Sequence, residues 1–180
     1  IVTGEFGAGK TTELERLHVT AIDKLLEDPN RPIPIFMQAS DLTNGPLLGA
    51  VRDEIAGLGD PTRAGVFLLV DGVNEIDLDV ASLEDRLATL LAQCPGSIVV
   101  LATRQQEELR GYTTVPLPPL TEDEFESIIA AICPEAQARA LRPELEDALK
   151  RPLFAIHYAV LRRERNWNAL HEAELVNSLA

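Results

Sequence analysis

The sequence predicts an α/β fold, a parallel sheet covered by helices on both faces and followed by an all-helical part. Three features of the chain imply it. Short apolar runs alternate with amphipathic helical stripes as far as Leu120. A glycine-rich turn, "GEFGAGKT", joins the first apolar run to the first stripe. From Thr121 onward strand-like runs stop while helical periodicity continues.

Taken in order, Ile1-Val2-Thr3 reads as a strand end, because the glycine turn follows at once. Leu14, Leu17, Ala21, Ile22 and Leu25 then recur at helical spacing, and the pattern fades at Asp28-Pro29. "IPIFMQA" (33–39) is a short buried strand after a proline turn. Leu47, Leu48, Val51, Ile55 and Leu58 give a second helical stripe, which "GLGDPTRAG" breaks. "VFLLVDG" (66–72) is an uninterrupted apolar strand. Ser82 with Asp85 forms a cap pattern ahead of Leu83, Leu87, Leu90 and Leu91. "IVVLATR" (98–104) reads as a strand buried on both faces, and "TTVPLPPL" (113–120) as a short strand running into prolines. Beyond a boundary near 119–121, Thr121 and Glu124 make a capping box for Phe125, Ile128, Ile129 and Ile132. Two further stripes follow: Leu153, Ile156, Val160 and Leu161, then Trp167, Leu170 and Leu175.

A chain of 180 residues suffices for one buried domain or one and part of another. Its composition is that of a globular protein, with 46% hydrophobic and 25% charged residues and a mean hydropathy of +0.01. This excludes a disordered tail, a collagen-like rod and a coiled coil. No apolar run is long enough to cross a bilayer. The net charge of −13 repels phosphate backbones and anionic lipids, so neither a membrane nor direct nucleic-acid binding is expected of this segment. Cys94 and Cys133 lack metal-ligand spacing and read as two reduced, packed thiols, which suits a cytoplasmic compartment. The first strand is shorter than the usual five to six residues, and "HEAELVNSLA" stops inside a helical pattern. The expectation is therefore a segment of a larger protein.

"GEFGAGKT" satisfies G-x-x-x-x-G-K-[ST] at every fixed position and has a strand end before it and an amphipathic helix after it. Gly4, Gly7 and Gly9 let the main chain fold back so that the N–H groups of Glu5, Phe6, Ala8, Lys10, Thr11 and Thr12 can surround phosphate oxygens. The helix that follows adds its N-terminal dipole. Lys10 reaches the β- and γ-phosphates, and the Thr11 hydroxyl can ligate Mg²⁺. The side chains of Glu5 and Phe6 stand at free positions of the motif and receive no role.

"VFLLVDGVNE" sets Asp71 at the end of an apolar strand, where a carboxylate holds Mg²⁺ in proteins with this loop. Its plainer reading is a turn carboxylate ahead of Gly72. Glu75 can orient or deprotonate an attacking water, or be one more solvated acid beside Asp77 and Asp79. Asn74 can position water. His18, His157 and His171 show no partner pattern and read as packing or surface residues.

These motifs together resemble the NACHT group of STAND-class P-loop NTPases. The resemblance lies in "GEFGAGKTT" (Walker A), "IPIFMQASDL", "LLVDGVNEI" (Walker B), "SIVVLATR", "VPLPPLTEDEFESII" and "RPLFAIHYAV", in that order over nearly the whole chain. It implies a three-layer sandwich with a five-stranded sheet ordered 5-1-4-3-2, with residues 1–120 binding nucleotide and 121–180 beginning a helical lid. It further implies ATP or ADP with Mg²⁺, a γ-phosphate sensor at Arg104, and Pro152 close to the adenine. Without the resemblance, Arg104 reads as a surface residue paired with Glu107 or Glu108, and Pro152 as a helix-opening proline. Glu13 departs from the family's usual apolar residue and Asn74 from its frequent acid.

The function implied is a switch in signalling or immunity. ADP holds a closed state, and exchange for Mg-ATP permits self-association through the full-length protein under flanking sensor and effector domains. Its rivals are a module that keeps nucleotide without turnover and a ring-forming AAA+ ATPase. No Asn-Lys-x-Asp motif supports a GTPase, and the basic residues a kinase lid needs are limited to Arg162, Arg163 and Arg165.

Overall fold

In a computed structural model the structure describes residues 1–43, 45–76, 79–104, 111–134, 143–165 and 175. Trp167, Leu170, His171, Asp77, Glu107 and Glu108 lie outside the described residues. The chain divides into two compact units. One holds Ile1–Glu5 with Lys10–Pro116, and the other joins Phe6–Gly9 to the described residues from Leu117 onward.

The first unit is a parallel sheet of β1 (Val2–Thr3), β2 (Ile33–Gln38), β3 (Val66–Asp71), β4 (Ile98–Thr103) and β5 (Val115–Pro116). Its order, β2-β3-β4-β1-β5, is the expected 5-1-4-3-2 read from the other edge. The side chains alternate as the pleat requires. Ile33, Ile35, Met37, Val66, Leu68, Val70 and Leu101 enter one core with α2 (Leu47–Ile55) and α4 (Val80–Gln93). The opposite face carries α1 (Lys10–Glu27), which packs on β2, β3 and β4. This is the three-layer arrangement.

Several elements differ from the sequence reading for local reasons. The α4 cap is Asp79, not Ser82: its carboxylate accepts from the Ser82 N–H at 2.9 Å and from the Ser82 hydroxyl at 2.6 Å. An ionised acid satisfies the helix dipole better than a hydroxyl does. Leu58 lies beyond the end of α2, which Ala56 closes in the left-handed region at φ 41°, and it is 78% exposed. Within the breaker, Asp60 caps a single turn, α3 (Pro61–Ala64). β4 is fully buried from Leu101 onward, while Ile98 is exposed. β5 is two residues long.

The second unit packs α5 (Glu122–Ile132) and α6 (Pro143–Leu149) against α7 (Pro152–Arg165). Thr121 and Glu124 form the expected capping box, and Phe125 and Ile129 are buried. The buried face of α7 is Phe154, Ala155, Tyr158, Ala159 and Leu161; of the expected stripe only Leu161 belongs to it, while Leu153 and Val160 are half-buried. Ile156 is exposed, whereas Ala155 and Ala159 are fully buried. Leu175 is buried in this core. Cys94 and Cys133 are buried free thiols, and burial pushes the Cys94 thiol above its ordinary range. Among the described residues no helix is long and apolar enough to cross a membrane.

Candidate functional site

Parallel strands deliver their carboxyl ends to one edge of a sheet, and here that edge gathers the motif residues. Gln38 stands in register with Asp71, and Thr3 with Thr103. The turn after β1, Asp71 on β3 and Arg104 after β4 are thereby neighbours, although they lie far apart in sequence.

Lys10 opens α1 and folds back over the turn. Its ammonium donates to the carbonyls of Gly4 at 2.7 Å and Glu5 at 3.0 Å. Burial pushes Lys10 below the ordinary lysine range, and the Arg104 charge adds to this, while Asp71 and Glu75 pull the other way. Gly7 and Gly9 adopt φ of 80° and 89°, in the left-handed region that favours glycine. Glu13, at the departure from the family pattern, forms a two-point ion pair with Arg16 one turn along α1.

Thr11 Oγ1 donates to Asp71 Oδ2 at 2.5 Å, and the other oxygen of Asp71 accepts from the Gly72 N–H at 2.9 Å. Asp71 thus serves the turn and faces Thr11 at once. Two hard oxygen donors converging at the mouth of the turn suit Mg²⁺, which keeps several waters and takes only one or two ligands from the protein. Among the described residues no cluster of three or more His, Cys, Asp or Glu could hold a metal by itself.

Gly72, at φ 75°, starts a 3₁₀ turn over Val73–Glu75. Glu75 Oε1 accepts from Arg104 Nη2 at 3.1 Å, and both side chains are exposed. Arg104 therefore reaches Glu75. Asn74 has a role that the sequence reading missed: its Oδ1 accepts from the Arg104 main-chain N–H at 3.0 Å and ties the end of β4 to the acidic turn. An amide between Asp71 and Glu75 was the available signal, but its partner is 30 residues away.

The middle of the glycine turn groups with the helical unit. Leu153 N–H donates to Gly7 O at 3.2 Å, and the Phe6 ring lies edge-on to Phe154 with centroids 6.2 Å apart. Pro152 opens α7, and its Cγ is 3.7 Å from where a Cβ on Gly9 would stand. His18 stacks at a tilt on Phe36, in keeping with a packing role.

No protein-family model and no curated protein matches the sequence. Among solved structures, the chain is similar to AMPPCP-bound DnaA from Aquifex aeolicus, with 17% identity and a TM-score of 0.52 over 98% of this chain and 59% of that one. It is also similar to C. elegans PCH-2, with 12% identity and a TM-score of 0.53 over 98% of this chain and 58% of that one. The chain thus spans less than two thirds of either neighbour. At such identities the likeness concerns the fold alone, an α/β P-loop fold.

Proposed function

We propose that this chain is an ATP-binding, slowly hydrolysing switch module of a larger signalling or defence protein, NACHT-like in organisation. Exchange of ADP for ATP controls its self-association. Residues 1–120 bind the nucleotide and 121–180 begin the lid. The observation that carries the nucleotide reading is the hydrogen bond from Thr11 to Asp71, which joins two motifs 60 residues apart at the mouth of a turn that Lys10 closes.

The roles follow from charge and reach. Main-chain N–H groups from Gly4 to Thr12 enclose the phosphates, and Lys10 offsets their charge. Thr11 and Asp71 would hold Mg²⁺, which when bound neutralises the β- and γ-phosphate oxygens. Glu75 orients and deprotonates the attacking water. Arg104 lies 3.1 Å from Glu75 and in this reading exchanges that partner for a γ-phosphate oxygen. An exposed ion pair is worth about 0–1 kcal/mol, so a phosphate can displace it at little cost. Pro152 flanks the adenine. Flanking sensor and effector domains supply input and output in a reducing cytoplasm, which the two free thiols suit.

A second reading, an AAA+ ring ATPase, is favoured by the likeness of fold to PCH-2 and DnaA. Both readings need the same phosphate site. Replacing Lys10 by Ala is therefore expected to reduce ATP and ADP affinity at least about a hundredfold by calorimetry, since a lost charge-assisted contact to a desolvated phosphate costs several kcal/mol. Wild-type affinity in that variant would remove the site from consideration. Wild-type protein that holds ADP with no turnover would leave a structural nucleotide module instead.

A further inference from the structure

Phe6 stands where the phosphate-loop motif demands nothing, yet it is an aromatic side chain left 48% exposed on a loop. Its other half meets Phe154, which is 1% exposed, at an interplanar angle of 72°. An edge-to-face pair of this kind is favourable beyond the area it buries. On the same Phe154 ring the Arg151 guanidinium lies 4.2 Å from the centroid.

The neighbouring contacts continue the pattern. α7 opens with Pro152, which has no N–H, and the next donor, Leu153 N–H, would be an orphan of the first turn. Gly7 O accepts it at 3.2 Å, so a loop carbonyl does what a capping side chain does elsewhere. Gly7 is also a tight place for a side chain: its φ is +80°, and a Cβ there would stand 3.1 Å from Leu153 Cβ, so that Leu153 would have to shift. Position 6 touches 154, position 7 touches 153 and position 9 lies beside 152. The middle of the loop and the first turn of α7 therefore lie side by side and run in opposite directions.

We infer that Phe6 is a positioning residue for the nucleotide: seated against Phe154, it fastens residues 6–9 to the first turn of α7 and so sets how tightly and how long the phosphates are held. This rests on the nucleotide reading above. A loop already fixed in its binding conformation loses less freedom when ligand arrives. By reciprocity, nucleotide held by the loop also holds the start of α7, and a displacement of α7 loosens the loop.

The test uses the full chain with Phe6→Ala, Phe6→Tyr, Phe154→Leu and the Phe6→Ala/Phe154→Leu double variant. Phe6→Ala is expected to raise Kd for Mg-ADP and Mg-ATP about threefold to tenfold, the worth of one aromatic pair, and to speed release of a fluorescent ADP analogue. Phe6→Tyr keeps the ring and should restore wild-type values. The double variant should be no weaker than the weaker single variant, because both remove one contact. Without nucleotide, amide exchange at residues 6–9 should accelerate in Phe6→Ala and Phe154→Leu, with the melting temperature little changed for the half-exposed Phe6. Unchanged Kd, release and loop exchange in Phe6→Ala would overturn the inference, as would additive effects in the double variant. If the wild type binds no nucleotide, the nucleotide reading falls, and the fastening of the loop is decided by the exchange arm alone.

Discussion

Lys10 sits at a site that disfavours its own charge. Burial lowers its proton affinity and Arg104 lowers it further, against the opposing pull of Asp71 and Glu75. The folded protein therefore releases this proton at lower pH than the unfolded chain does. Between the two values the unfolded chain binds more protons, so this group makes stability rise with pH across that window; below it the strained charge is present in full. Bound phosphates reverse the balance, because they favour the ammonium. Nucleotide affinity is thus expected to start falling with alkaline pH before the ordinary lysine range is reached, with proton uptake on binding in that window. Calorimetry in buffers of different ionisation enthalpy reads both. Lys10→Arg, which cannot lose its charge, should abolish the pH dependence, and a Kd flat across the window in wild type would remove Lys10 from the phosphate contact. Lys10 and Thr11 are legible as candidates from the fixed letters of the loop motif, and Asp71 from its place at the end of an apolar strand. The contacts of Phe6 and Asn74 are not legible, because each meets a partner distant in sequence, Phe154 and Arg104 respectively.

Among the elements, α1 follows its apolar stripe: Leu14 is fully buried, Leu17, Ala21 and Leu25 are half-buried and Ile22 is 38% exposed, while Val19 and Leu26, off the stripe, are 58% and 77% exposed. Leu14→Ala is expected to cost about 2–5 kcal/mol in urea unfolding, the range for a buried leucine that leaves a cavity. Leu26→Ala and Leu58→Ala should stay within about 0.5 kcal/mol, as exposed sites do. Equal losses at Leu14 and Leu26 would mean that α1 is docked differently. The same contrast explains which elements were readable. Strands β2 and β3 were legible because a run of Ile, Val, Leu and Phe has few alternatives. The buried face of α7 was not, since Ala155 and Ala159 carry no hydropathy signal comparable with Ile156 and Val160, and tertiary packing chose the small residues.

At the scale of the whole molecule, each unit has its own apolar core, one around the sheet and one around Phe125, Phe154 and Tyr158. A ligand that binds only the folded state stabilises by mass action, about 2.7 kcal/mol at a hundred times Kd. That gain cannot distinguish a switch from a ring; self-association can. A chain carrying −13 repels its own copies, and the repulsion acts over a Debye length of about 10 Å at 0.1 M salt and about 3 Å at 1 M. Association driven by ATP must overcome it, so the fraction assembled with Mg-ATP should grow as salt rises from 0.1 M towards 1 M, as read by light scattering on the eluting species. In the switch reading Mg-ADP leaves the chain monomeric at every salt concentration, since only the ATP state opens the associating surface. In the ring reading assembly occurs with either nucleotide, and turnover per chain climbs with protein concentration as neighbours complete each other's sites. Assembly that weakens as salt rises would show instead that attraction between unlike patches outweighs the net charge, and would move the associating surface to the few basic positions, Arg162 and Arg163 among them.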